Sequence, residues 1–422
     1  MRVAIVHDYL AQAGGAERVV VAMHNVFPDA PIYTSVYDPE ATLPEFRDMD
    51  VRTSFLQRFA GGAKTHKLAL PLYPTAFEHF DLSGYDLVLS SSSGFAKGVI
   101  TGPETCHVCY CHTPARFAWR YHEYVSQGGY GKMARRILPW MVHLLRAWDV
   151  QTAQRVDRFI VNSYNIARRV YKYYGRDSTV LYPPVETKRF RVEPNPTVDY
   201  LLVVSRLIGY KRVDLAVEAC TRLNLRLKVV GGGPDAARLK AAAGPSVEFL
   251  GRLPDTEVAH LFANCRAFLF PGEEDFGIAP VEAMASGRPV VALRAGGAKE
   301  TVIDGVTGLF FDDPTVESLI DALERLPTLD FDPRRIRRHA ETFDTTTFES
   351  RLREIIDQAL DEHRRLYDGM RPAATQIAAP EEDTSRPHEL GTDNSALGAW
   401  KTVHLPHTAL INGTGVPPGE SL

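Results

Sequence analysis

Cysteine is scarce in this chain, with five among 422 residues. That is too few for a disulfide framework to hold a chain of this length. Long apolar runs are missing as well. The opening stretch Met1–Val6 is apolar, but His7 and Asp8 end it after one strand's length. Such a run is too short for a signal-peptide core or a membrane span. The next candidate, Ile137–Trp148, is interrupted by Pro139, His143 and Arg146. With no transmembrane helix and no export signal read, the cytoplasm is the expected compartment. Positive charge is not in excess either: 48 basic residues against 52 acidic ones give −4. No global basic field forms, and a nucleic-acid partner is not expected.

What the chain does hold is the composition of a soluble globular protein, 45% apolar and 24% charged. Its length exceeds one ordinary core, so two domains are expected. Strand-like runs recur at Val3–Val6, Leu87–Ser90, Arg158–Val161, Tyr200–Val204, Arg226–Val230, Val247–Leu250, Ala267–Phe270 and Pro289–Leu293. Helical patterns lie between many of them, at Ala16–Phe27, Asp214–Leu223, Asp255–Ala263 and Ala279–Ser286. This alternation predicts an α/β protein with parallel sheets covered on both faces. The pattern breaks at Tyr182–Pro183–Pro184 and the polar stretch Glu193–Thr197, then restarts at Tyr200. Two doubly wound, Rossmann-like domains are expected, over 1–190 and 198–343. A last helix is expected within 344–368. Thr346 and Glu349 fit a capping box, and Phe348, Leu352, Ile355, Ile356, Ala359 and Leu360 form one apolar face. Prolines recur through 369–422 without an apolar period, so this tail is expected to be disordered.

Cys106, Cys109 and Cys111 crowd together with His107 and His112. A structural zinc would need four converging ligands, whereas alternate residues of an extended run share a face. We read these cysteines as small residues packing in a buried strand, and expect no metal.

Three constellations carry chemistry. The run Tyr200–Val204 leads into Ser205-Arg206-Leu207-Ile208-Gly209-Tyr210-Lys211-Arg212. A loop at the carboxyl end of a parallel strand is where such sheets bind ligands. Arg206 and Lys211 place two cations there, suited to a diphosphate, although a solvated basic loop fits these two residues equally. The next strand ends in Gly231-Gly232-Gly233-Pro234-Asp235-Ala236. Glycines at 231 and 232 let backbone amides approach phosphate. The string also satisfies a dinucleotide fingerprint, with Glu248 as the ribose-binding acid, which keeps an NAD-dependent oxidoreductase as an alternative. The third constellation is Phe270-Pro271-Gly272-Glu273-Glu274-Asp275-Phe276-Gly277-Ile278, followed by a helix that carries Glu282. Glu274 in the turn and Glu282 on the helix could face one ligand, beside free amides at Phe276, Gly277 and Ile278.

The run from Ser205-Arg206 through Gly231–Asp235 and the Glu274–Glu282 block to Gly308–Phe311 resembles the donor domain of retaining glycosyltransferase family 4. The resemblance covers about residues 1–366. "YKRVD", "MRVAIVHDYLAQAGGAERVV" and "YCHTPARFAW" narrow it toward bacterial mannosyltransferases that build O-antigen and capsule-type polysaccharides. It implies the GT-B fold, two Rossmann-like domains facing a central cleft, with the C-terminal helix returning to the first. Arg212 stands where glycine usually follows the lysine, which changes the flexibility of that loop. By this resemblance Arg206 and Lys211 grip the donor diphosphate, Glu282 receives the ribose hydroxyls and Glu274 contacts the transferred sugar. The Gly251-Arg252-Leu253 backbone lies near the base. The amides of Gly14 and Gly15 approach the donor from the first domain, and His112 stands near the reacting sugar. A hydrogen-bonded loop histidine is the plainer reading of His112.

The expected reaction is transfer, with retention, of a sugar from a nucleotide-sugar donor to a glycan or lipid-linked acceptor. The finest reading is mannose from GDP-mannose; a UDP-sugar donor is the alternative within the fold, and a non-catalytic nucleotide-sugar-binding protein the alternative outside enzymes. Asp255 or Glu257 could accept from guanine, or serve as helix-start charges. No Asp-x-Asp closes a strand, so the two cations are expected to replace a metal ion and no cofactor is called for. Arg58, Lys64, His66 and Lys67 interleave with Phe55, Leu56, Phe59, Leu68, Leu70 and Leu72. Lys132, Arg135 and Arg136 accompany Trp140, Leu144 and Trp148. Such segments suit peripheral contact with an anionic membrane surface, and equally suit ordinary amphipathic helices.

Overall fold

In the computed structural model, which describes residues 1–58, 70–120, 132–194, 196–197 and 199–370, two parallel sheets organise the chain. The first has seven strands: β1 (Val3–His7), β2 (Ile32–Thr34), β3 (Val51–Thr53), β4 (Leu87–Ser92), β5 (Cys106–Cys111), β6 (Arg158–Val161) and β7 (Thr179–Val180). Their order is β3-β2-β1-β4-β5-β6-β7. The second has six: β8 (Leu201–Val204), β9 (Leu227–Val230), β10 (Val247–Gly251), β11 (Ala267–Phe270), β12 (Val290–Leu293) and β13 (Gly308–Phe311). Their order is β10-β9-β8-β11-β12-β13.

The central strands are buried on both faces, which is why they read as short continuous apolar runs. β5 is buried along its whole length. Cys109 and Cys111 pack there with Phe159 and Val161, while Cys106 joins the opposite cluster with Val108 and Tyr110. In the first sheet α1 (Gly15–Val26) starts directly after β1 and lays Val19, Val20 and Met23 on the core.

Helices α2 (Tyr73–Glu78), α3 (Arg116–Trp119), α4 (Lys132–Ala153) and α5 (Tyr164–Tyr174) follow in the first lobe. Ser163 caps α5, and Gly175 ends it in a left-handed turn. The second lobe adds α6 (Val213–Arg222), α7 (Ala236–Ala242), α8 (Asp255–Asn264), α9 (Ile278–Ala285), α10 (Ala298–Thr301), α11 (Val316–Arg325) and α12 (Pro333–Glu341).

The last helix, α13 (Thr345–Met370), packs on α1 and β5 of the first lobe. Its face Phe348, Leu352, Ile355, Ile356, Ala359 and Leu360 joins the core that holds Val19 and Val20. Truncating Leu352 to alanine there costs roughly 2–5 kcal/mol. The expected capping box does not form. Asp344, not Thr346, accepts at the helix start, from Thr346 N at 3.0 Å and Thr346 Oγ1 at 2.7 Å. Glu349 instead accepts from Asn25 of α1 at 2.9 Å. An aspartate carboxylate is a stronger acceptor for helix-start amides than a threonine hydroxyl. Of the tail expected over 369–422, Gly369 and Met370 continue α13, and 371–422 lies outside the described residues.

Candidate functional site

Each sheet has its topological switch point between its first and fourth strands, β1/β4 and β8/β11. Ligands of open α/β sheets bind outside the carboxyl ends of the strands at such points. The two switch points face each other across a cavity of about 680 Å³. Tyr9, Gly15, Ser93 and His112 line it from the first lobe, with Arg116 and Asn162. Arg206, Lys211 and the turn from Glu273 to Ile278 line it from the second.

Arg206 follows β8, and its guanidinium has no carboxylate partner among the described residues. Lys211 sits in a single 3-10 turn, Gly209–Lys211, and its ammonium pairs with the Glu274 carboxylate. The side chains of Lys211 and Glu274 are 14% and 23% exposed, so both still reach the cavity. Arg212 takes the left-handed conformation, φ 49°, and turns its guanidinium to Asp214 at 3.3 Å. A side chain in that region costs roughly 1–2 kcal/mol, which glycine would avoid. The arginine therefore stiffens the loop that presents Lys211.

Glu282 lies one turn into α9, outside the cavity, and pairs with Arg189 at 3.2 Å. Burial raises its pKa above the ordinary carboxylate value, against the opposing pull of Arg189 and Arg18. Asp255 is engaged by Arg18 at 3.1 Å and by Arg189 at 2.5 Å. Glu257 stands in the first turn of α8. His112 contacts Ser91 Oγ through Nε2 at 2.8 Å. Burial, helped by the nearby His7, lowers its pKa to about 3, so the ring is neutral.

Phe276 lines the cavity, and its ring packs on Tyr182 and Phe343. Gly14 is the residue before α1 and lies outside the cavity. Gly231, Gly232, Gly251, Arg252 and Leu253 lie outside it too. A β-carbon on Gly231, whose φ is 125°, would stand 1.9 Å from the carbonyl oxygen of Ser205. Here glycine lets the β9 loop support the Arg206 loop from behind.

That packing also removes the dinucleotide reading. The fingerprint loop follows β9, the second strand of its sheet, whereas dinucleotide binding uses the first strand at the switch point. Glu248 pairs in register with Lys228, near the amino end of β10 and away from the loop it should serve.

Long-range contacts add residues that local pattern did not single out. Arg116 and Arg169 of the first lobe both reach Asp275, Arg169 at 2.7 Å. Glu300 accepts from the amides of Tyr164 and Asn165 at 2.8 and 3.0 Å. These pairs are 106 to 159 residues apart for Asp275, so no periodicity announces them. Among the described residues one trio, Cys106, Asp157 and His363, could approach a metal, with ligand atoms up to 4.8 Å apart. Ligands of a zinc tetrahedron stand about 3.5 Å apart, and the Asp157 carboxylate already holds the His107 amide at 2.7 Å.

A family model described as "Glycosyltransferase Family 4" matches residues 13–189. One described as "Glycosyl transferases group 1" matches 184–343. The D-inositol 3-phosphate glycosyltransferase of Mycobacterium tuberculosis (strain ATCC 25618 / H37Rv) is 31% identical over 226 residues, 46% of this chain and 47% of the relative. That of Mycobacterium bovis (strain BCG / Pasteur 1173P2) gives the same values. The chain spans about half the length of these curated relatives. HepE of Anabaena, crystallised with UDP-glucose, superposes with TM-score 0.63 at 20% identity, over 85% of this chain and 100% of that one. Sucrose-phosphate synthase of Thermosynechococcus elongatus gives 0.67 at 16% identity, over 86% and 100%. At these identities the likeness is one of fold. The two family matches follow one another along the chain, one over each sheet of a GT-B fold, so both lobes are similar to glycosyltransferases.

Proposed function

We propose that this chain is a retaining glycosyltransferase that takes a sugar from a nucleoside diphosphate donor and transfers it to a glycan or lipid-linked acceptor. The observation that carries this reading is Arg206, without a carboxylate partner among the described residues, beside Lys211 at the β8/β11 switch point. Two cations at that place can neutralise a diphosphate in the ground state and stabilise the charge that develops as it leaves. No metal is needed for that task. The Gly15 amide end of α1 faces the same cavity from the other lobe and favours negative charge. Glu274 would contact the transferred sugar, and Glu282 the ribose. The leaving phosphate would take the acceptor's proton on the same face of the sugar, which accounts for retention without an enzymic nucleophile.

Mannose from GDP-mannose is the donor we favour, on the subgroup motifs at 1–20, 110–119 and 210–214. One observation favours the UDP alternative. The Asp255 carboxylate, a candidate for guanine, is already held by Arg18 and Arg189. Thermal shifts with a panel of GDP- and UDP-sugars separate the two. A bound ligand at about 100 times its dissociation constant adds ~2.7 kcal/mol. Stabilisation by no nucleotide sugar would overturn the reading.

Peripheral membrane contact is part of the proposal. Trp140 and Leu144 stand four apart on α4 and are 76% and 70% exposed. An apolar strip of this kind fits the boundary of a lipid surface. Trp148 does not belong to the strip: it packs against Gly98 and donates to Glu78 at 3.0 Å. Lys64, His66 and Lys67 lie outside the described residues, as do the side chains of Lys132, Arg135 and Arg136. No described helix is long and apolar enough to cross a membrane.

A further inference from the structure

His7, Ser91 and His112 stand at the carboxyl ends of three adjacent strands, β1, β4 and β5. His7 is in register with Ser91, and the His112 amide donates to the Ser92 carbonyl at 2.9 Å. The Ser91 hydroxyl oxygen lies 3.0 Å from His7 Nδ1 and 2.8 Å from His112 Nε2. The Ser91 carbonyl oxygen lies 3.1 Å from the same His7 Nδ1. Behind His7, the Glu17 carboxylate in the first turn of α1 stands 3.8 Å from His7 Nε2. Glu17 is 1% exposed, accepts from Gln12 Nε2 at 3.2 Å through one oxygen, and has no partner for the other.

The direction of each proton follows from these atoms. A carbonyl oxygen only accepts, so His7 Nδ1 carries a hydrogen. Ser91 Oγ then accepts from His7, and its own hydrogen is left for His112 Nε2. A nitrogen that accepts carries no proton, so the neutral His112 ring is protonated at Nδ1. His112 Nδ1 has no partner among the described residues, and His112 lines the cavity.

We infer that His7 and Ser91 are positioning residues that hold His112 as a fixed Nδ1–H donor aimed into the cleft. The inference deepens the glycosyltransferase reading and rests on it for its consequence. Held this way, His112 donates a hydrogen bond to an oxygen of the bound donor. It does not act as a base, because its lone pair is spent on Ser91.

The test uses the full chain labelled with ¹⁵N in histidine, with His112→Asn for assignment. Two-bond ¹H–¹⁵N spectra should show His112 protonated at Nδ1 and bare at Nε2. In Ser91→Ala the Nε2–H form should appear, and turnover should fall about tenfold, the effect of one lost hydrogen bond. Nucleoside diphosphate affinity should stay unchanged, and Ser91→Thr, which restores the hydroxyl, should recover both signals. A wild-type His112 protonated at Nε2 would overturn the inference, as would Ser91→Ala with unchanged tautomer and turnover. If Ser91→Ala fails to fold, the wild-type spectrum decides alone. Absence of sugar transfer by the wild-type chain would remove the functional reading and leave the tautomer result standing.

Discussion

The pairing of Lys211 with Glu274 makes a quantitative demand on the donor site. In the proposed roles, Lys211 serves the diphosphate while Glu274 serves the sugar. A phosphate held by the same ammonium would share it with the Glu274 carboxylate. Two anions on either side of one ammonium stand about 6 Å apart, and across effective dielectrics of about 80 to 20 they repel by roughly 0.7–3 kcal/mol. Glu274→Gln removes that repulsion and keeps the side chain's shape. The free nucleoside diphosphate should then bind threefold tighter or more, by about 0.7 kcal/mol at least. Turnover should fall, because a charged hydrogen bond to the sugar, roughly 1.5–3 kcal/mol, is lost. Arg206→Ala should do the opposite to the nucleotide. It deletes a charge-assisted partner and should weaken the diphosphate about tenfold or more. Calorimetry with the nucleotide and a steady-state assay with the sugar donor separate the two patterns. Tenfold weaker nucleotide binding in Glu274→Gln would refute these assignments, and so would full binding in Arg206→Ala.

Turnover should survive exhaustive chelation; loss to chelator with recovery in magnesium or manganese would reject the two cations as the metal's substitute. Burial, with Lys97 nearby, lowers the His107 pKa to about 3. Below about pH 6.5 the unfolded chain binds a proton there that the folded chain refuses, so stability should fall by about 1.4 kcal/mol per pH unit on acidification. His107→Gln should flatten the fall in Tm between pH 6.5 and 4, and an unchanged slope would count against that burial. Trp140→Glu with Leu144→Glu should weaken binding to anionic vesicles while sparing nucleotide affinity; equal vesicle binding by the double variant would remove the membrane proposal.

Much of this molecule is local in sequence. Strands such as Val3–His7 and Ala267–Phe270 are short apolar runs because both faces of their sheets are covered. The loops that carry Arg206, Lys211 and Glu274 were legible because strand, turn and helix follow one another within a few residues. Strand order is not local. It alone brings His7, Ser91 and His112 side by side. Asp344 displaced the expected Thr346 cap because two adjacent acceptors competed for one helix start. The pairs Arg116–Asp275 and Arg189–Glu282 join residues 159 and 93 apart, and only the closed fold brings them into contact.

The central claim is that a nucleoside diphosphate sugar held at Arg206 and Lys211 loses its sugar with retention. The most direct measurement follows donor consumption and the anomeric configuration of the product by NMR, using a panel of α-linked nucleotide sugars with a lipid-linked or soluble glycan acceptor. The account predicts an α-linked product from the wild-type chain, without added metal, and its near-complete loss in Arg206→Ala. A β-linked product, or no consumption of any donor in the panel, would contradict it.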